Sequence, residues 1–112
     1  MREFEALERS IELVRLMRLP LATIARRDRG LADQARRALT SVPLNLAEGR
    51  RRAGGDRLHA YRVAAGSADE VLVALRVADA LGYLTEAQAR EALDMADRVI
   101  AILTRILHPR RA

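Results

Sequence analysis

Apolar residues recur every three or four positions along most of the chain, which is the spacing of one face of an α-helix. The first such run extends from Glu3 to about Arg27, and the second from Leu31 to about Ala53. The third extends from about Arg57 to Leu81, and the fourth from Thr85 to about Leu107. Turn-forming residues separate the runs, so the pattern predicts four helices.

Four helices of similar length joined by short turns favour an all-α fold, an antiparallel up-down-up-down four-helix bundle. A chain of 112 residues has the size of one domain, so residues 1–112 are predicted to form a single bundle. Only Phe4, Tyr61 and Tyr83 are aromatic. The core must therefore be aliphatic, and a sheet protein is disfavoured.

Turn and capping residues predict where the helices end. Gly30 can adopt the left-handed conformation that ends a helix, here the first one. Asp56 is expected to be the N-cap of the third helix, and Gly82 to end that helix. Thr85 and Gln88 fit a capping box at the start of the fourth helix.

Three residues inside the predicted helices disfavour a regular helix. Pro20 and Pro43 each remove a backbone donor and clash with the carbonyl four residues back, which predicts a kink or a break. A break near Leu19 is the alternative to a bend at Pro20. Gly66 costs about 1 kcal/mol relative to alanine in a helix interior, so we expect it to let another backbone come close.

The third and fourth helices each carry two apolar seams side by side. One seam can fill the core of a bundle, whereas a second seam needs another surface to cover it. The second seam of the fourth helix comprises Ala92, Met95, Val99, Ile102 and Ile106. This seam predicts self-association of the protein.

Positive charge is concentrated in the middle of the chain. All twenty basic residues are arginine, and ten of them lie between Arg26 and Arg62, where they face four acids and give a net charge of +6. The other ten arginines face eleven acids, a net charge of −1. This distribution indicates a surface patch that attracts anions.

The densest part of this patch is the run Arg50, Arg51 and Arg52, followed by Arg57 after the Gly54–Gly55 turn. Its position predicts a basic rim at one end of the bundle, suited to salt-sensitive, sequence-independent phosphate contacts. A solvated face or a set of ion-pair donors is the alternative. With three aromatic residues there is little surface on which bases could stack, so base recognition on single strands is disfavoured.

A polar stripe runs beside the apolar stripe of the second helix, and two polar residues of the third helix are placed to face it. The predicted structural network comprises Arg36, Arg37, Ser41, Asn45, Glu48, Ser67 and Glu70. We expect it to be buried, with Arg36 or Arg37 neutralising Glu48 and Glu70, because buried charges must be paired. A cofactor pocket is the alternative interpretation.

The sequence gives little support for catalysis or for a bound metal or cofactor. Cysteine is absent, and His59 and His108 lack the spacing of metal ligands. No histidine or lysine base accompanies the serines, which disfavours nucleophilic catalysis. A ribonuclease of the HEPN type needs a closely spaced arginine and histidine, but Arg52 and His59 flank the glycine turn. A non-enzyme is therefore expected, with both histidines at the surface.

The sequence also lacks the long apolar runs that membrane spans and signal peptides require. No apolar run approaches the roughly 18 residues of a membrane span, and the N-terminal residues lack a signal-peptide apolar run. We therefore expect a cytoplasmic protein without membrane contact.

Several separated motifs resemble, in the same order, those of the 23S rRNA intervening-sequence proteins, also called four-helix bundle proteins. The second helix matches S-x-P-x-N-x-A-E-G and the third matches A-x-G-S-x-x-E, while Leu46 stands where isoleucine is commoner. The matching residues are Leu31, Asp33, Gln34, Arg36, Arg37, Ser41, Pro43, Asn45, Ala47, Glu48, Gly49, Ala64, Gly66, Ser67 and Glu70.

The resemblance implies a four-helix bundle assembled as a ring of five subunits. It also implies kinship with Avd, the accessory protein of diversity-generating retroelements, which looks like a basic pentamer that binds nucleic acid and a reverse transcriptase. Expected partners are thus RNA, DNA, a reverse transcriptase or another protein. Two function classes follow: a non-enzymatic, oligomeric nucleic-acid or ribonucleoprotein binding module, and a structural interaction scaffold whose basic patch serves assembly.

Overall fold

Four long α-helices account for almost all of the chain. The computed structural model describes residues 2–109, with α1 at Arg2–Arg27, α2 at Arg29–Arg51, α3 at Gly54–Ala80 and α4 at Glu86–Leu107. Each helix packs against two others, in the cyclic order α1, α2, α3, α4. The all-α four-helix fold is confirmed. Among residues 2–109, none of the helices combines the length and apolar character that crossing a membrane requires.

The core is aliphatic, as the scarcity of aromatic residues predicts. Leu13, Met17 and Ile24 of α1 pack with Leu39 and Leu46 of α2, all with no more than 2% of their surface exposed. Burying a side chain of this size contributes about 1.5 to 3 kcal/mol relative to leaving it in water. These side chains recur at helical spacing, so the same pattern that forms each helix also directs it into the bundle.

Two of the predicted capping residues are wrong, although α1 ends at Arg27 as predicted. Asp28 alone separates α1 from α2, and its Oδ1 accepts a hydrogen bond from the Leu31 amide at 3.0 Å. Gly30 lies in the first turn of α2 and does not have a positive φ. Asp56 is not an N-cap, because Gly54, with φ of +59°, already turns the chain and Ala53 is the cap. The Asp56 carboxylate lies in the first turn of α3, where the helix dipole favours negative charge.

The predicted connection between α3 and α4 is confirmed. Gly82 has φ of +76° just beyond the end of α3. Thr85 Oγ1 accepts from the Gln88 amide at 3.2 Å, and Gln88 Oε1 accepts from the Thr85 amide at 3.0 Å, which completes the capping box. The Gln88 side chain also donates to Thr23 Oγ1 at 3.2 Å, so the start of α4 is attached to α1.

Both helix-interior prolines are accommodated without a break. α1 continues through Pro20 and α2 continues through Pro43, so the predicted breaks, including the one near Leu19, do not occur. Met17 and Ile24 lie on either side of Pro20 and are both fully buried. Packing of one continuous apolar face outweighs the single backbone hydrogen bond that each proline removes.

The second seam of α4 is not a free surface. Ala92 and Val99 are buried within the bundle, and Met95, Ile102 and Ile106 are half-buried against it. A helix at one corner of a four-helix bundle faces two neighbours, here α1 and α3, so two adjacent seams are needed inside a single chain. The sequence argument for self-association through α4 therefore fails.

Glycine inside a helix permits a close contact at Gly49 rather than at Gly66. Apart from the neighbouring backbone of α3, a Cβ at Gly66 would have no atom within 4 Å, so no other described helix comes close to it. A Cβ at Gly49 would lie 2.4 Å from Cε1 of Tyr61, a separation at which atoms overlap. Gly49 thus leaves the space that the Tyr61 ring occupies between α2 and α3.

The Tyr61 side chain is buried at the end of the bundle where charged residues gather. Burial raises the pKa of the phenol above its ordinary value, and the Glu3 carboxylate raises it further. Arg57 and Arg50 act in the opposite direction. The phenol is therefore close to the arginine cluster predicted from the sequence.

We predict that Gly49→Ala destabilises the protein by about 1 to 3 kcal/mol, because the added methyl group forces the buried Tyr61 ring to move. Thermal unfolding followed by circular dichroism measures the effect. Gly66→Ala is the control: its added methyl group enters open space and should stabilise the helix by up to about 1 kcal/mol. Equal melting temperatures for the two variants would contradict this assignment.

Candidate nucleic-acid interface

The arginine cluster lies where α2 ends and α3 begins. Arg50 and Arg51 form the last turn of α2, Arg52 follows it, and Arg57 lies in the first turns of α3. All four residues are exposed. Because neighbouring helices alternate in direction, the start of α1 and the end of α4 lie at this same end of the bundle.

Arg57 serves a local structural role. Its Nε donates to the backbone carbonyls of Gly49 at 3.0 Å and of Arg52 at 2.8 Å, and its Nη2 donates to the Arg50 carbonyl at 3.4 Å. The last carbonyls of a helix have no partner within the helix and carry partial negative charge, so a guanidinium group stabilises them. Arg57 therefore caps α2 from α3.

The other three arginines differ in how strongly the chain holds them. Arg50 lies over the Phe4 ring, with 5.7 Å between the guanidinium carbon and the ring centroid. Arg52 donates from Nε at 2.8 Å and from Nη2 at 2.6 Å to Oε1 of Glu48. Arg51 is exposed and has no ion-pair partner among residues 2–109.

The uncharged members of the predicted polar network are brought together between α2 and α3. Ser67 Oγ donates to Ser41 Oγ at 2.8 Å, and Asn45 Nδ2 donates to Ser41 Oγ at 3.0 Å and to its carbonyl oxygen at 2.9 Å. All three residues are half-buried rather than fully buried. The Ser67–Ser41 bond joins residues 26 positions apart and attaches α3 to α2.

The charged members of that network do not pair as predicted. Glu48 binds Arg52 and not Arg36 or Arg37, and its side chain is 49% exposed. Arg36 lies 3.7 Å from Asp33 in an exposed pair. We predicted that the charged residues of the network would be buried. All four are exposed: Arg36, Arg37, Glu48 and Glu70. Exposed pairs of this kind contribute about 0 to 1 kcal/mol, so removing Glu48 should cost far less than breaking a buried pair.

Two polar clefts lie along the boundary between α2 and α3. One, of about 360 Å³, contains the remaining network residues and is lined by Gln34, Arg37, Ala38, Ser41, Ser67 and Glu70. The second, of about 220 Å³, is lined by Asn45, Glu48, Arg52, Asp56, His59 and Ala60. Six of the seven network residues thus line a surface cleft instead of the core, and Arg36 lies outside both clefts.

The second cleft brings Arg52 and His59 together, although the sequence separates them by the glycine turn. α3 begins immediately after that turn, and this places His59 beside the end of α2. Both histidines are exposed, as predicted. Within residues 2–109, no group of three or more histidine, aspartate or glutamate side chains is arranged to hold a metal ion.

An acidic groove between α1 and α4 has no counterpart in the sequence predictions. A cavity of about 530 Å³ is lined by Leu16, Glu91, Asp94, Met95, Asp97 and Arg98. Its three acids follow one another in steps of three residues, so they lie along one side of α4, and the packing of α4 against α1 makes that side the wall of a groove.

Comparison with known proteins supports the fold and decides the family. The sequence model of the 23S rRNA-intervening sequence proteins matches residues 2–105. The chain belongs to the 23S rRNA-intervening sequence protein family. No curated protein sequence matches it. Among solved structures it is similar to a protein of unknown function from the S23 ribosomal protein family of Bacteroides thetaiotaomicron.

That structure shares 20% sequence identity with this chain and has a TM-score of 0.84, with 96% of this chain and 98% of the other covered. At this identity the similarity shows the helical fold alone. For this member of the 23S rRNA-intervening sequence family, the motif residues Ser41, Asn45, Glu48, Ser67 and Glu70 all line the two polar clefts between α2 and α3.

We predict that Arg57→Gln destabilises the protein by about 1 kcal/mol, because the α2 carbonyls lose charged hydrogen-bond donors. Arg51→Gln, which removes the same charge three residues before the turn, should leave the melting temperature within about 1 °C of the wild type, since surface changes are near neutral. Thermal unfolding of both variants tests this. If Arg51→Gln proved as destabilising as Arg57→Gln, net charge rather than capping would be responsible.

Proposed function

We propose that this protein is a non-enzymatic, oligomeric module of the cytoplasm that binds nucleic acid or a ribonucleoprotein through the arginine-rich end of its bundle. The supporting observation is the exposure of Arg50, Arg51 and Arg52 together at one corner. Arginine offers several donors in a planar fork, which suits phosphate oxygens. Sequence-independent attraction to a nucleic-acid backbone requires no more than such a patch.

The contacts within the chain are compatible with this role. The exposed Arg52–Glu48 pair contributes about 0 to 1 kcal/mol, so a phosphate group can replace the carboxylate. Arg50 stays exposed beside the Phe4 ring. Arg57 differs from the other three, because its Nε and Nη2 donate to backbone carbonyls around the end of α2. We therefore propose that Arg57 positions this corner in addition to its predicted contact with phosphate.

A protein-interaction scaffold is the second candidate function. It is favoured by large apolar side chains that remain exposed on the outside of the bundle, such as Leu19, Leu44 and Val73, at 72%, 67% and 55% exposure. A partner that covered any of these side chains would remove apolar surface from water. A reverse transcriptase or another protein could occupy such a surface while the arginines serve assembly.

We predict binding to both RNA and DNA duplexes in electrophoretic shift assays, with affinity that falls steeply as salt is raised. Changing Arg50, Arg51 and Arg52 together to glutamine should lower the salt slope by about one unit for each phosphate that the variant no longer binds. The matched control changes Arg26, Arg27 and Arg29, at the opposite end of the bundle, to glutamine. This control removes equal charge but should lower the slope by less.

Two results would overturn the nucleic-acid hypothesis. The first is that the wild-type protein shifts neither RNA nor DNA in the electrophoretic assay at low salt, which would favour the protein-interaction scaffold. The second is an equal loss of binding in both triple variants, which would show that net charge alone attracts the nucleic acid.

We further propose that five copies form a ring, which would repeat the arginine cluster five times around one axis. Size exclusion coupled to light scattering should give a mass of five 12.5-kDa chains, or a multiple of five. A mass of one chain at micromolar concentration would exclude self-association, and a mass of two chains would exclude the ring.

A further inference from the structure

One of the three aromatic residues stays exposed at the arginine-rich end of the bundle. Phe4 lies in the first turn of α1 and is 50% exposed, whereas Tyr61 is buried and Tyr83, at the opposite end, is half-buried. Ala6 is fully buried two residues later, and two positions turn a helix by about 200°. The Phe4 ring therefore points away from the core, and the packing of the bundle does not account for an aromatic residue there.

The surroundings of Phe4 set it apart from other exposed apolar side chains, which are ordinary on protein surfaces. The Arg50 guanidinium lies over its ring, an arrangement in which the cation is attracted to the π face. Arg51 and Arg52 follow Arg50 and are exposed as well. An aromatic face is thus presented to solvent directly beside the arginines that we assign to phosphate binding.

Arginines also lie on the other side of the ring, towards the end of α4. Arg2 and Arg105 line two clefts of about 300 and 230 Å³ between α1 and α4. Neither forms an ion pair with any residue of the described range 2–109. Glu3 and Glu5 share the first turn of α1, but the arginines on both sides outnumber these two carboxylates. Because α1 packs between α2 and α4, Phe4 lies between two basic surfaces.

We propose that Phe4 is the stacking surface for one unpaired nucleobase of a single strand bound at the arginine-rich end. This inference rests on the proposed function, since the arginines on either side hold the phosphates that flank the base. A groove that combines cationic and aromatic side chains suits a single strand, whose phosphates and base faces are both accessible. The base faces of a duplex are already covered by their neighbours in the stack.

The contact adds affinity without reading sequence. Every base has a π face, so stacking tolerates all four bases. One exposed aromatic residue provides for one base in each copy of the chain, which agrees with the scarcity of aromatic residues in the sequence. Phosphate contacts remain the main source of affinity, and the stacked base adds a preference for strands whose bases are free.

Arg50 can serve both parts of this contact. Its guanidinium is planar, stacks on aromatic faces and carries its hydrogen-bond donors at the edge of the plane. Single-stranded bases are recognised by stacking on arginine as well as on phenylalanine. The same residue can therefore cover the ring or the base with its face and donate to a phosphate oxygen from its edge.

The test crosses a change in the protein with a change in the strand. Wild type and Phe4→Ala are titrated by fluorescence anisotropy with a labelled single-stranded DNA and with the same strand carrying abasic sites in place of its bases. The wild type should bind the base-bearing strand at least about fivefold more tightly, the effect of one stacked base, and Phe4→Ala should bind the two strands within about twofold of each other. Phe4→Trp, which keeps an aromatic face, should keep the preference.

Two control variants separate stacking from apolar surface and from charge. Leu81→Ala removes an apolar side chain of similar exposure, 54%, at the opposite end of the bundle and should keep the wild-type preference. Changing Arg50, Arg51 and Arg52 together to glutamine should weaken binding of both strands, because both carry phosphates. Circular dichroism establishes that Phe4→Ala has the helix content of the wild type.

The stacking inference and the proposed function fail in different ways. Equal binding of both strands by the wild type, or a preference that persists in Phe4→Ala, would overturn the stacking inference and leave phosphate binding in place. A preference lost equally in Leu81→Ala would overturn the assignment to Phe4. A wild-type protein that binds neither strand at low salt would overturn the proposed function and this inference with it.

Discussion

The close packing of α2 against α3 is the constraint on which the rest of the molecule depends. Gly49 leaves room for the Tyr61 ring, and further along the helices the Ser41 and Ser67 hydroxyls meet at 2.8 Å. At the first contact a glycine on α2 receives a large ring from α3, and at the second both residues are small, so a larger side chain at Gly49, Ser41 or Ser67 would push the helices apart. α2 and α3 also share the most extensive interface of the bundle.

This packing decides how positive charge is displayed. Because α2 ends directly against the first turns of α3, Arg57 reaches back to three carbonyls around the end of α2. One arginine of the cluster thus becomes a cap, and the others are held at a fixed corner instead of on a flexible linker. A rigid corner lowers the conformational entropy that a phosphate contact would otherwise cost.

The same packing explains why the polar stripe of α2 is not a buried network. The apolar stripe faces the core, and the adjacent polar positions line the surface clefts between α2 and α3. Hydroxyl and amide groups near the bottom of the groove bond to each other, while Glu48 stays at the rim with Arg52. Charged groups at the rim keep their hydration, so the chain avoids the desolvation that burying them would require.

The sequence by itself determined four helices, their bundle, the aliphatic core and the capping box at Thr85, because these features depend on residues within a few turns of one another. It also placed the arginine cluster at a turn. Only the tertiary structure decided that Pro20 and Pro43 lie inside unbroken helices, that Gly49 rather than Gly66 carries the contact between helices, and that Arg57 is a cap. These outcomes depend on which face of each helix meets which neighbour, and short-range periodicity does not specify the relative height and rotation of two packed helices.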